Sequence, residues 1–163
     1  MTVHAFLAWL ESSPLGHLMR DHGVWTYSLV NLSHILGVSS LFGSVLILDL
    51  RLLGVWHRVP IAMIRDVAVP VARTGFAVAA TTGVGLLATK ATEYIGNPFM
   101  LIKFPAIAIA LVNVAIVSRS PAWQALSYRE PSQPEEHRLA IMGGVSLLSW
   151  LTAVAAGRMI GYW

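Results

Sequence analysis

The stretch TYSLVNLSHILGVSSLFGSVLILDLRLLG, residues 26–54, decides the fold of this 163-residue chain. It is mostly apolar, and at a rise of about 1.5 Å per residue it is long enough to cross roughly 30 Å of hydrocarbon as a helix. Similar apolar runs follow it, and spans are predicted at residues 24–48, 67–89, 99–117 and 139–162. Because hydrocarbon offers the backbone no water, helices are the expected spanning elements. The sequence therefore predicts an all-α integral membrane four-helix bundle, with a single transmembrane domain over residues 1–163.

The composition also indicates a membrane protein. Hydrophobic residues make up 56% of the chain and charged residues only 12%, whereas soluble domains carry about 25% charged residues. The net charge is only +3, and the basic side chains fall mainly in loops beside apolar helices. The expected partner is therefore the lipid bilayer and not nucleic acid. The absence of cysteine excludes disulfides, thiolate metal sites and haem attached through a Cys-x-x-Cys-His motif.

Residues 1–22 are predicted to form an amphipathic helical segment at the membrane interface. Apolar side chains recur in it at helical spacing, at Val3, Phe6, Leu7 and Leu10. This face is expected to lie in lipid.

A second short helix is expected within the same segment, before the first span. Ser13 suits its N-cap, Pro14 suits its first position and Gly23 suits its end. The helical structure is therefore predicted to be interrupted twice before the first span.

Basic residues are divided unequally between the two sides of the predicted bundle. The side that holds the first and third loops carries Arg51, Arg58, Arg65, Arg119, Arg129 and Arg138. The side that holds both termini carries Arg20, Lys90, Lys103 and Arg158. The positive-inside rule then predicts an inner (cytoplasmic) membrane protein with both termini outside the cytoplasm.

His34 is the candidate functional residue of the first span. It lies roughly 15 Å below the outer end of that span, at about 1.5 Å per residue, and is therefore near the middle of the membrane. An ionisable side chain at this depth indicates a functional site. Tyr27 and Asn31 share its helix face, and Gly37 one turn beyond leaves a flat, open surface that suits a planar macrocycle.

Two other interpretations of His34 stay open. Gly37, Ser40 and Ser44 form a stripe of small residues that favours close helix packing, with His34 hydrogen-bonded to a neighbouring helix. In the third interpretation, His34 takes part in a proton relay.

Two cations favour a haem b cofactor at His34. Lys103 and Arg158 lie about one turn inside the outer ends of the third and fourth spans, above the depth of His34. Iron bound by the imidazole, with propionates directed outward to basic groups, fits this arrangement. Snorkelling of long basic side chains toward the interface explains the same positions without a cofactor.

The second and third spans contain no histidine, so the second axial ligand of the iron is open. His17 or His22, a methionine, or a residue of another subunit are the alternatives, as is a five-coordinate haem open to a small ligand. Alternatively, His4, His17 and His22 form a surface site for copper or another transition metal, since imidazole is a suitable ligand.

Charged residues also stand at the far end of the first two spans. Asp49 and Arg51 close the first span, whereas Asp66 and Arg73 enter the second. Arg73 is deep enough to need a counter-charge, and we expect it to pair with Asp49 or Asp66.

Several motifs resemble an uncharacterised family of bacterial four-helix membrane proteins, a domain of unknown function. They are WLESSPLG at residues 9–16, SHILGVSSLFGSVLILDLRLLG at 33–54, YIGNPFMLIKFPAIAIALVN at 94–113 and AGRMIGY at 156–162. The resemblance spans nearly the whole chain and implies the four-helix fold.

A more distant likeness is to the four-helix, haem-binding protoporphyrinogen oxidases of bacteria. The match consists of His34 in the first helix, Arg51 near its far end and Lys103 early in the third helix. It implies haem binding at His34. The chain departs from that family in lacking a histidine just before Lys103.

The predicted function is that of a b-type haem membrane protein for electron transfer or small-ligand sensing. The alternatives are an oxidoreductase, either similar to protoporphyrinogen oxidase or linked to a quinone or redox protein, and a non-catalytic bundle or transporter subunit. A homo-oligomer is expected because four helices shield a large cofactor poorly.

Overall fold

A computed structural model describes residues 2–163, and within this range the chain forms helices and contains no strand. Seven α-helices follow one another along the described chain. Their bounds are α1 Val3–Glu11, α2 Pro14–Asp21, α3 Gly23–Leu52, α4 Ile61–Thr89, α5 Pro98–Arg119, α6 Pro121–Ala125 and α7 Gln133–Met159. Short 3-10 turns lie at Ala91–Tyr94 and Ile160–Tyr162. The all-α prediction is confirmed.

Four of these helices, α3, α4, α5 and α7, are long and apolar enough to cross a membrane. Each predicted span lies within one of them, the last including the final 3-10 turn. α3 and α5 begin one residue before the predicted spans, and α4 and α7 begin six residues before them. The extra residues include Arg65 and Asp66 in α4 and Glu135, Glu136 and Arg138 in α7, which the hydropathy pattern does not count as apolar. The chain is therefore a helical membrane protein.

The contacts divide the chain into two compact units, and each is described by itself. The first unit comprises residues 1–40 and 73–97, and the second comprises residues 41–72 and 98–163. The first part of α3 and the second part of α4 thus belong to the first unit, together with α1 and α2.

In the first unit, α1 packs against the end of α4 and the 3-10 turn that follows. Leu10 is 8% exposed and forms a buried cluster with Ala88 and Ala91. The prediction that the whole apolar face of α1 lies in lipid is therefore wrong at Leu10, because small alanines on the neighbouring elements leave room for it. Val3, at 76% exposed, remains on the outer surface.

The predicted ends of α2 are confirmed. The Ser13 hydroxyl accepts a hydrogen bond from the Gly16 amide at 3.3 Å, and Pro14 is the first helical residue. Gly23 has a φ of +76°, a left-handed conformation that favours glycine and separates α2 from α3.

In the second unit, α5 packs along α7 through small side chains. Ala106, Ala110 and Asn113 are buried on α5, and the Asn113 amide donates to the Met142 carbonyl of α7 at 3.0 Å. Small residues let two helix backbones approach, and a hydrogen bond between them removes a polar group from lipid.

Candidate functional site

The imidazole of His34 is bound by α4 within the first unit. Its Nδ1 lies 3.1 Å from the Thr82 hydroxyl oxygen, and that hydroxyl donates its hydrogen to the Val78 carbonyl at 2.5 Å. A hydroxyl has one hydrogen, so the oxygen of Thr82 accepts from Nδ1. With the hydroxyl hydrogen directed to Val78, the tautomer of neutral His34 that fits this hydrogen bond carries its proton on Nδ1 and its lone pair on Nε2.

Gly83 sets the position of the His34 ring. A Cβ added at Gly83 would lie 3.1 Å from Cε1 of His34 and 3.5 Å from its Nδ1. Any larger residue at this position would require the ring to shift, so glycine allows the close contact between the ring and α4. Because Nδ1 is held by Thr82 and one edge by Gly83, the half-buried ring has a defined orientation.

The surface at Gly37 is not open, which corrects the prediction of a flat platform beside the imidazole. A Cβ there would lie 2.8 Å from the Ala79 amide nitrogen and 3.0 Å from the Gly75 carbonyl oxygen, both on α4. The missing side chain is used for close contact between two helix backbones. Sequence alone identifies a small residue but not the neighbour that covers it.

Tyr27 and Asn31 precede His34 on α3. Tyr27 is 43% exposed near the start of the helix, and Asn31 is half-buried. Both stand on the helix face predicted from their spacing, and their cofactor contacts stay predictions.

Lys103 and Arg158 belong to the second unit, whereas His34 belongs to the first. The side chain of Lys103 runs past Gly157 of α7, where an added Cβ would lie 3.5 Å from its Cε and Nζ. Arg158 donates to the Tyr162 hydroxyl and places its guanidinium carbon 4.7 Å from the centre of that ring. A propionate contact for either cation stays a prediction.

His17 and His22 lie at the surface on and after α2. Nδ1 of His17 is 3.4 Å from the Asp21 carboxylate, and His22 follows the last residue of the helix. Across residues 2–163 no group of three or more histidine, aspartate or glutamate side chains is arranged to hold a metal ion. The surface site for copper or another transition metal stays a prediction, and so does axial ligation by His17 or His22.

The ion pairs of the described residues do not include the predicted pair of Arg73 with Asp49 or Asp66. Asp66 pairs with Arg65 at 2.8 Å. Asp49 is buried, and the Ser146 hydroxyl of α7 lies near its carboxyl group. Arg51 is engaged by the loop after α3 instead, since it donates to the carbonyls of Val59 and His57.

Arg20 holds three parts of the first unit together. Its guanidinium donates to the Ala88 and Thr89 carbonyls at 3.4 and 3.1 Å and to the Glu11 carbonyl at 2.8 Å. The last carbonyls of a helix have no partner within the helix, and a cation there is favoured by the helix dipole. Arg20 thus caps the end of α4 and ties α1 to it.

The Glu11 carboxylate completes this junction. It accepts from the amide of Thr92 at 2.8 Å and from its hydroxyl at 2.7 Å. These hydrogen bonds favour the ionised form and hold the pKa of Glu11 below its ordinary value of 4.5. Sequence analysis missed both Glu11 and Arg20, because their partners lie 68 to 81 residues away.

Acidification is expected to weaken the Glu11 junction. A lowered pKa in the folded state contributes stability that is present above the unfolded-state pKa and is lost as pH falls through the folded-state value. The melting temperature of the detergent-solubilised protein should therefore fall below about pH 4.5, and it should fall less in Glu11→Gln. Glu136→Gln, at an exposed carboxylate, is the control and should follow the wild type. An equal acid response of Glu11→Gln and the wild type contradicts the prediction.

Comparison with known proteins finds one family. A family model with the description "Family of unknown function (DUF6644)" matches residues 6–163. No curated protein and no solved structure matches the chain. The likeness to protoporphyrinogen oxidases therefore stays a prediction.

Proposed function

The chain belongs to the family of unknown function that covers residues 6–163, and we propose from the chemistry of His34 that it is a membrane-embedded b-type haem-binding protein. The observation that carries the proposal is the hydrogen bond of Nδ1 to Thr82. Histidines that bind a metal through one ring nitrogen almost always donate the hydrogen of the other to a neighbouring acceptor. Neutral imidazole with its lone pair on Nε2 is the ligating form.

His34 meets the chemical requirements of one axial ligand. Its ring is half-buried in an apolar helix pair, held by Thr82 and Gly83, and lies on a helix that is long enough to span the membrane. A bound haem supplies electron transfer, or binding of a small ligand when one axial position is open. For electron transfer, the second axial ligand is a methionine, His17, His22 or a residue of another copy of the chain. For binding of a small ligand, the protein supplies no second axial ligand.

The test is the optical spectrum of protein purified from cells supplied with haem. We expect a Soret band at a fixed ratio to protein in the wild type and its loss in His34→Gln. Glutamine retains an amide hydrogen for Thr82 but lacks the ring nitrogen that binds iron. His137→Gln, at an exposed histidine of the second unit, should keep the band. A colourless wild-type preparation, or a band unchanged in His34→Gln, rejects the proposal.

A purely structural role for His34 is the second candidate, and the close contact of Gly37 with α4 favours it. In this case the imidazole serves only to satisfy Thr82 and to join two helices, as the small-residue interpretation predicts. His34→Gln then keeps stability and function, and haem never binds. The same variant thus separates the two candidates.

An enzymatic form of the proposal requires the same haem. The reaction is the oxidation of a porphyrinogen, or the exchange of electrons with a quinone or redox protein. Growth of a strain that lacks protoporphyrinogen oxidase separates the first reaction from haem binding alone.

We also propose a location in the bacterial inner membrane, with both termini outside the cytoplasm. The unequal distribution of arginine and lysine supports this orientation. A homo-oligomer is part of the proposal, because four helices provide limited cover for a haem.

A further inference from the structure

Asp49 is a buried carboxyl group in the second unit. It lies three residues before the end of α3 and is 3% exposed. The Ser146 hydroxyl of α7 lies near it. Gly143, one turn earlier on α7, lets the helices approach, since a Cβ there would lie 3.4 Å from the Asp49 carbonyl oxygen and 3.0 Å from Cβ of Leu52.

Only part of this carboxyl group is satisfied. Its Oδ2 is buried and receives no hydrogen bond from residues 2–163. An ionised carboxylate has about four acceptor sites, and those of Oδ2 have no donor among the described residues. A buried charge of this kind is costly unless it is paired or neutralised.

The charged groups of the surrounding elements are engaged elsewhere or exposed. On α3, Arg51 donates to the carbonyls of the following loop. On α4, Arg65 pairs with Asp66, which is itself a competing negative charge. On α5, Arg119 bonds its own helix, and on α7 the basic residues on the side of the α6–α7 loop, His137 and Arg138, are exposed. Arg73, farther along α4, is exposed and belongs to the first unit. No ion pair of the described residues includes Asp49.

We propose that Asp49 is a proton-binding site, a carboxyl group that holds a proton at neutral pH and exchanges it with water on the side of the α3–α4 loop. Protonation of Oδ2 removes the charge. Burial of a carboxylic acid hydroxyl without an acceptor costs less free energy than burial of a charge without a partner. Asp49 lies about 5 Å from the end of α3 at 1.5 Å per residue, so the path for the proton is short. The site is independent of the haem proposal.

The direct test is infrared spectroscopy of the full-length protein in lipid at pH 7. We expect a carbonyl stretch of a protonated carboxylic acid that shifts in deuterated water and is lost in Asp49→Asn. Asp66→Asn, which changes an exposed carboxylate of the same unit, should keep the band. Absence of the band from the wild type, or its persistence in Asp49→Asn, overturns the proposal.

Ser146→Ala gives a second readout that does not depend on the folding of Asp49→Asn. The nearby Ser146 hydroxyl is a dipole that favours the ionised form, so the band of Ser146→Ala should persist to a higher pH than in the wild type. A band that disappears at the same pH in both overturns the assignment. Sodium is the competing ligand, and a wild-type melting temperature that rises in sodium chloride but not in choline chloride would assign the site to sodium instead.

Discussion

Gly37→Ala is expected to lower the free energy of unfolding of the protein by about 3 kcal/mol, near the upper end of the usual cost of overpacking. The added Cβ would lie 2.8 Å from a backbone nitrogen and 3.0 Å from a backbone oxygen of α4. Backbone atoms of a helix cannot turn away as a side-chain end can, so α3 and α4 must separate locally. The His34 to Thr82 hydrogen bond, one turn away, should lengthen as well.

Gly43→Ala is the matched control for Gly37→Ala. It is on the same helix, and a Cβ there meets no atom within 4 Å. Alanine has the higher helix propensity, by up to about 1 kcal/mol, so Gly43→Ala should be neutral or slightly stabilising. Thermal and denaturant unfolding in detergent measure both variants. Equal stability of the two would show that the close contact at Gly37 does not exist in solution.

Gly16→Ala is expected to have an effect of similar size, about 3 kcal/mol, at the junction of the first unit. A Cβ at Gly16 would overlap the carbonyl group of Glu11 and lie 3.0 Å from the Ala88 carbonyl oxygen. α1 and α2 would have to move apart, or both would have to leave the end of α4. Loss of the Arg20 bonds to α4 should follow.

The Gly16→Ala effect is distinguishable from general unfolding by limited proteolysis. The peptide bonds that follow α1 and α2 should become sensitive to protease at temperatures at which α5 and α7 are not cleaved. Gly161→Ala is the control, because a Cβ there meets no atom within 4 Å. A Gly16→Ala protein with wild-type melting and wild-type protease resistance contradicts the geometry of this junction.

The four spans were predictable because span length and hydropathy are properties of single segments. The Ser13 cap and the Gly23 break were predictable for the same reason, since each depends on neighbours within a few residues. The position of His34 on α3 can likewise be predicted from the sequence of that segment. The partners of His34 cannot be predicted in this way, because nothing in residues 81–85 alone shows that Thr82 and Gly83 contact the imidazole and not lipid.

The surface at Gly37 illustrates the limit most clearly. A glycine beside a histidine fits both an open platform and a tight helix contact, and only the placement of α4 distinguishes them. The contact of Arg158 with Tyr162 was within reach of the sequence, since residues four apart on a helical turn are neighbours. The unsatisfied oxygen of Asp49 could not be predicted from the sequence, because it depends on which groups of α4, α5 and α7 surround it.

The contacts of Arg20 also set an order for biosynthesis. Its acceptors on Ala88 and Thr89 lie 68 and 69 residues later in the chain, and a ribosome that adds about 5–20 residues per second makes them about 3–14 s after Arg20. During that interval Leu10 has neither Ala88 nor Ala91 to pack against. The docking of α1 therefore has to wait until the end of α4 has been made.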